Sequence, residues 1–128
     1  MTGPLLLDTD VIVDYLRGHE RAVQWIDGLE TPVYLSMVTI AELYAGVRDG
    51  EERPGLDQFL HAFTPVEVTP AIAKQAGLYR RDYGKSHGTG LGDAIIAASA
   101  VAVNATLATL NRKHFPMLDQ VLTPYRKP

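Results

Sequence analysis

The chain contains no cysteine. Disulfide staples and thiolate metal sites are therefore excluded, and a reducing cytosol is the expected setting. The opening residues MTGPLLLD carry no basic segment and only a three-residue apolar run, so they do not read as a secretory signal. No internal repeat, low-complexity tract or long linker interrupts the 128 residues. Residues 94–111 (AIIAASAVAVNATLATLN) are uncharged and approach the length of a membrane span. They are rich in Ala, Ser and Thr, however, and Asn104 divides them, so a buried helix, a turn and a buried strand are expected instead of a membrane segment. No Ser-His-Asp order or nucleophile elbow is present, and the four histidines are scattered. His19, His61 and His87 are read as surface or structural.

What is present is a chain with 46% hydrophobic residues, enough for one globular domain over residues 1–128 with a real core. A net charge of −3 argues globally against a nucleic-acid binder. The distribution argues otherwise. Residues 1–64 hold four Lys/Arg against eleven Asp/Glu, a local charge of −7, whereas residues 65–128 hold eight against four, a local charge of +4. The basic residues gather as Arg80, Arg81 and Lys85, then Arg112 and Lys113, then Arg126 and Lys127. Each pair alone reads as solvated surface; together they suggest a local anion-binding face.

Hydrophobic patterning alternates strands with helices. Leu5–Leu7 reads as a strand buried on both faces, the habit of a parallel sheet. Helices follow from Val11 to Gly18 and over 20–29, then a strand at VYLS (33–36) and a helix in VTIAELYAGV that closes near Gly46 or Gly50. A fourth helix covers 53–63, VEV at 66–68 is an edge strand, and Pro70 opens a long helix that Gly84 ends near Tyr83. After a loop, KSHGTGLG, the segment DAIIAASAVAV is apolar on nearly every face and therefore internal. TLATL (106–110) and Val121–Leu122 complete the strands. This order predicts an α/β sandwich with a mostly parallel sheet, in which ligands bind beyond the carboxyl ends of the strands. Asp8 and Asn111 fall at that edge. GTGLG resembles a nucleotide loop, but it follows a helix and Asp93 occupies the place of the third Gly, so it is set aside.

Three carboxylates carry the chemistry. Asp8 follows a strand and precedes a helix, which suits an N-cap as well as a ligand. Glu42 closes the capping box Thr39-Ile-Ala-Glu42 unless Ser36 is the cap, in which case Glu42 is free to face the sheet edge. Asp93 is the only charge on an internal helix, where the helix dipole, worth roughly 0.3–1 kcal/mol, cannot offset the burial of a carboxylate. A cation is the economical compensation. Hard oxygen donors without Cys or clustered His select Mg²⁺ or Mn²⁺ over Zn²⁺, and such an ion activates water against a phosphodiester. LLLDTDVI also fits the Asp-x-Asp motif of haloacid-dehalogenase-like phosphatases, with Asp8 as nucleophile toward small phosphate monoesters. A non-catalytic binding domain is the third reading.

With those residues in place the chain resembles the PIN-domain ribonucleases, specifically the VapC-like toxins of toxin–antitoxin pairs. LLLDTDVIVDYL matches the opening motif at Asp8, SMVTIAELYAGV the second at Glu42, and GLGDAIIAASAVAVNATLATLNRKHF the closing block at Asp93 and Asn111. The resemblance implies a three-layer α/β/α fold, divalent-metal-dependent endonuclease activity on RNA, a homodimer and inhibition by a cognate antitoxin. Asp8 and Asp93 would then be Mg²⁺ ligands (Mn²⁺ being the alternative ion). Glu42 would complete the set or orient the attacking water, and Asn111 would position a ligand water or a phosphate. Thr9, Ser36, Thr39 and Thr109 are candidate hydrogen-bond partners for those groups. The chain departs from the family's common pattern at Asp10, where Asn is frequent, and at His114, where Asp is.

Overall fold

Leu5–Leu7 (β1) is fully buried, as three consecutive leucines require, and it sits at the centre of a five-stranded sheet. The other strands are Val33–Ser36 (β2), Thr64–Val66 (β3), Thr106–Ala108 (β4) and Val121–Leu122 (β5), in the order β3-β2-β1-β4-β5. Every pairing is parallel. The computed structural model describes residues 3–126; residues 1–2 and 127–128, the ends of the expected domain and Lys127 of the basic clusters, lie outside the described residues.

Six helices cover the two faces: Thr9–Leu16 (α1), Glu20–Asp27 (α2), Met37–Ala45 (α3), Glu52–Leu60 (α4), Pro70–His87 (α5) and Leu91–Ala102 (α6). Alternation along the strands sorts the side chains between them. Leu6, Tyr34, Leu107 and Val121 turn toward α5 and α6, packing with Ile72, Ala76, Ile96, Ala97 and Phe115. Leu5, Leu7, Leu35 and Ala108 turn the other way, onto Ile12, Leu43, Leu56 and Phe59 of α1, α3 and α4. The architecture is the three-layer α/β/α sandwich. Among the described residues no helix is long and apolar enough to cross a membrane. The uncharged run 94–111 breaks as expected, with Asn104 in the left-handed region at φ 53° between α6 and β4.

Several boundaries differ from the sequence-based expectation. The edge strand lies two residues earlier than VEV, at Thr64–Val66, and includes Pro65, which an edge tolerates because one of its sides carries no ladder. α4 ends at Leu60 and β4 at Ala108. The largest difference is in α5, which runs through Gly84 to His87 and stops at Gly88 in the left-handed conformation, φ 67°. A mid-helix glycine costs only about 1 kcal/mol, and the Arg80 side chain lies across the bare Cα of Gly84. The true terminator is the glycine that adopts a positive φ.

Candidate active site

Strand order reverses direction at β1: β2 and β3 extend to one side, β4 and β5 to the other. The crevice at such a switch point is where an open α/β sheet binds ligands, and the acids found in the sequence converge there. Asp8 follows β1 and is both cap and site residue. Its Oδ1 accepts the Thr9 N–H at 2.8 Å and its Oδ2 accepts the Thr109 hydroxyl at 2.7 Å, across a sequence separation of 101 residues. Only 5% of it is exposed. Burial, then the charge of Asp10, push its carboxyl from 3.8 up to about 7, against the two hydrogen bonds; Asp93 adds a smaller push in the same direction.

Glu42 is free, as the Ser36 alternative anticipated. Ser36 caps α3 by accepting the Val38 N–H and is also 3.2 Å from the Ser99 hydroxyl of α6. Thr39 is buried inside the helix. Glu42, one turn further on, is exposed and accepts the Thr9 hydroxyl at 2.7 Å, with Thr39 Oγ1 3.0 Å from the same hydroxyl. Glu42 also lies against α6: a Cβ added to Gly92 would stand 3.4 Å from its Oε2. The four hydroxyl residues singled out in the sequence thus all hold site groups or the helices that carry them.

Asp93 is at the third position of α6, where its Oδ2 accepts the Gly90 N–H at 3.1 Å. The expectation of a buried carboxylate was too strong. The side chain is 27% exposed, because the first turn of this internal helix emerges at the sheet's carboxyl edge. His114, in the 3₁₀ turn Arg112–His114, is partly buried beside the site: its Nδ1 is 3.6 Å from Asp93 Oδ2, its carbonyl accepts the Thr89 hydroxyl at 2.7 Å, and its ring borders Gly88. Asn111 is exposed and its Nδ2 donates to Asp10 at 3.0 Å. Lys113 shares the turn with His114, while Arg112 is committed to the Val121 carbonyl and Arg81 to Asp82.

Two groups escaped sequence reasoning. Asp10 registered only as a departure from a family pattern, yet it ties α1 to the loop after β4. Asp14 is 6% exposed and accepts the Tyr125 hydroxyl at 2.7 Å, while the Tyr125 ring stacks on His19. The available signal was an acid inside the otherwise apolar run VIVDYL. Burial and the Asp14 hydrogen bond raise the ionisation of Tyr125 far above the ordinary phenol range.

The donor set suits a hard divalent ion, although it is not a finished cage. Among the described residues no three His, Asp or Glu side chains form a ready-made metal cluster. Mg²⁺ does not demand one, since it keeps several waters and takes one or two carboxylates together with substrate phosphate. Asp8 is penalised first by burial and then by the charges of Asp10 and Asp93, and a cation would offset both.

The PIN domain model matches residues 5–119, and the chain belongs to that family. Ribonuclease VapC10 of Mycobacterium tuberculosis is 39% identical over 127 residues, spanning 97% of this chain and 95% of the relative. Toxin FitB of Neisseria gonorrhoeae is 36% identical, spanning 90% and 93%. Among solved structures, a chain of a toxin–antitoxin complex from Klebsiella pneumoniae superposes with a TM-score of 0.83 at 26% identity, covering 96% of this chain and 99% of that one.

Proposed function

We propose that this protein, acting as a single PIN-like domain, is a metal-dependent endoribonuclease and the toxin of a toxin–antitoxin pair. The observation that carries the reading is the convergence of Asp8, Glu42 and Asp93, from three separate elements, on the switch point of the sheet. Toxin–antitoxin complexes among the structural neighbours and ribonucleases among the sequence relatives support it. Asp8 and Asp93, with Glu42, are the residues that would hold Mg²⁺ or Mn²⁺, and the ion when bound supplies an acidified water and a clamp for phosphate oxygens.

The chain's own groups divide the remaining work. Thr109 and the Thr9 N–H fix both oxygens of Asp8. The Thr9 hydroxyl fixes one oxygen of Glu42 and leaves the other to orient the attacking water and accept its proton. Lys113 offers a cation to the RNA backbone beside the acids. The match of residues 5–119 to the PIN domain model disfavours the haloacid-dehalogenase-like alternative with Asp8 as nucleophile. An intact set of acids disfavours a non-catalytic binding domain.

The antitoxin reading has a surface to match. A groove of about 720 Å³ runs between α1, α3 and α4, lined by Val13, Leu16, Leu43, Val47, Leu56 and Phe59, with Glu42 also on its wall. An apolar antitoxin segment in this groove would carry a Lys or Arg toward the acids, where it would stand in for the metal. A homodimer in a cytoplasmic setting completes the proposal. Cleavage of a defined RNA by the purified protein with Mg²⁺, its loss on chelation and in Glu42→Gln, and no turnover of small phosphate monoesters are the expected results. Turnover of a monoester without RNA cleavage would replace this reading with the phosphatase. Sedimentation showing only monomer at micromolar concentration would remove the dimer, and undiminished Mg²⁺ binding in the antitoxin complex would remove the proposed mode of inhibition.

A further inference from the structure

The helices that carry Glu42 and Asp93 meet at two points. At the sheet's carboxyl edge Glu42 of α3 lies against the bare Cα of Gly92 in α6, where an added Cβ would stand 3.4 Å from Oε2. Deeper in the core, Ser36 Oγ at the head of α3 is 3.2 Å from Ser99 Oγ of α6, and both residues are fully buried. Each hydroxyl has one proton, and the distances assign both. Ser99 is 2.7 Å from the Ile95 carbonyl, one turn back in its own helix, and donates there. Ser36 Oγ accepts the Val38 N–H, so its own proton goes to Ser99. The result is a closed relay from the Val38 N–H through Ser36 and Ser99 to the Ile95 carbonyl, with every donor matched to an acceptor.

We infer that Ser99 is a positioning residue: through Ser36 it sets how α3 stands against α6, and so where Glu42 stands beside Asp93. This rests on the metal-dependent reading given above. Helix formation does not account for Ser99, because Ala is the better helix former and flanks it on both sides as Ala98 and Ala100. Nor does its own hydroxyl need Ser36, since the bond to Ile95 satisfies that proton within the helix. What Ser99 supplies is an acceptor for the Ser36 proton, which has no other among the described residues. Gly92 and Ser99 are seven residues apart in α6. That separation is two turns, about 10 Å, along one stripe of the helix. Apolar packing is non-directional, whereas a hydrogen bond fixes both distance and angle. The buried pair thus holds one end of the α3–α6 contact, and Glu42 meets Gly92 at the other.

Four proteins test it: wild type, Ser99→Ala, Glu42→Gln and the double variant. Alanine adds no volume and suits a helix, so the substitution at 99 removes the relay and little else. Should that variant not fold, Ser99→Cys, which keeps the size but is a weaker acceptor, is read by the same measures. The backbone amide resonances of Gly92 and Glu42 are followed by NMR in chelator, and Mn²⁺ affinity by calorimetry. Ser99→Ala should move both amide signals, although they lie at the far end of the helix contact. It should also weaken Mn²⁺ binding roughly 10-fold, the lower end of the range for losing an outer partner of a metal ligand. In the Glu42→Gln background the same substitution should cost almost nothing, because Ser99 acts through Glu42. Unmoved Gly92 and Glu42 signals, wild-type Mn²⁺ affinity in Ser99→Ala, or an equal loss in both backgrounds would overturn the inference, the last by showing a general loosening of the fold. Failure of the wild type itself to bind Mn²⁺, with the amide signals still dependent on Ser99, would refute the metal-dependent reading and leave the α3–α6 setting by Ser99 standing.

Discussion

Replacing Asp8 by Asn should make the metal-free protein more stable at neutral pH and no more stable in acid. In the folded chain the Asp8 carboxyl is pushed from 3.8 to about 7, chiefly by burial and then by Asp10. Because its folded value lies above its unfolded one, the folded state holds the proton more tightly. The stability contributed by Asp8 is therefore complete below about pH 4 and is lost as pH rises through about 7. A change of this size corresponds to roughly 4 kcal/mol at pH 8. The substituted amide would keep the bond from the Thr9 N–H, but its NH₂ would turn the Thr109 hydroxyl from donor into acceptor and leave that proton unpaired, a cost of about 1–2 kcal/mol. The net gain at pH 8 is thus about 2–3 kcal/mol, or a rise in Tm of roughly 6–15 °C for a chain of this length. At pH 4.5 the variant should match the wild type or fall slightly below it. Calorimetric melting of both proteins in chelator, from pH 4.5 to 8, gives the difference curve. A gap that does not change with pH, or a less stable Asp8→Asn protein at pH 8, would refute the burial argument. Mg²⁺ should close the gap by stabilising the wild type alone.

Asp93→Asn should abolish RNA cleavage and keep the fold, and Mg²⁺ should raise the Tm of the wild type but not of this variant; equal shifts would remove Asp93 from the metal site. Tyr125→Phe should cost about 1–3 kcal/mol, because it takes a hydroxyl from the buried Asp14 carboxylate, and urea unfolding with an unchanged midpoint would show that this bond contributes nothing. Gly84→Ala should stabilise the protein by about 0.5–1 kcal/mol, since the three atoms nearest an added Cβ all belong to the flexible Arg80 side chain. A loss of stability on thermal melting would mean that Arg80 is held where it lies by more than packing.

The sheet and the three acids were legible because each depends on a short local signal: a triple leucine ending in Asp, a strand ending in a capping Ser, an uncharged helix with one acid at its mouth. Ser36 decided the fate of Glu42, and both alternatives could be written down from the residues alone. The end of α5 was not legible, because Gly84 and Gly88 look equally suited to stop a helix and only tertiary context sets which one takes a positive φ. The partial exposure of Asp93 was hidden for a related reason. Composition reports that a helix is internal but not that its first turn surfaces at the sheet edge. Asp10 and Asp14 have partners about a hundred residues away, and no window along the chain contains both halves of such a contact.

The central place of β1 has a consequence for the order in which the protein comes to life. Its leucines pair on one side with residues 33 and 34 and on the other with residues 106–108. The first pairing closes a short loop; the second must wait until most of the chain exists and then closes a loop of about a hundred residues, the slow kind of contact in folding. Until that happens Asp8 lacks Thr109 and Asp10 lacks Asn111. For most of synthesis the corner that joins α1 to the end of β4 is therefore incomplete, and of the repulsions on Asp8 only that from its near neighbour Asp10 is present from the start. A partner or ion present at that moment would meet the site as it forms and could set the speed of the final step.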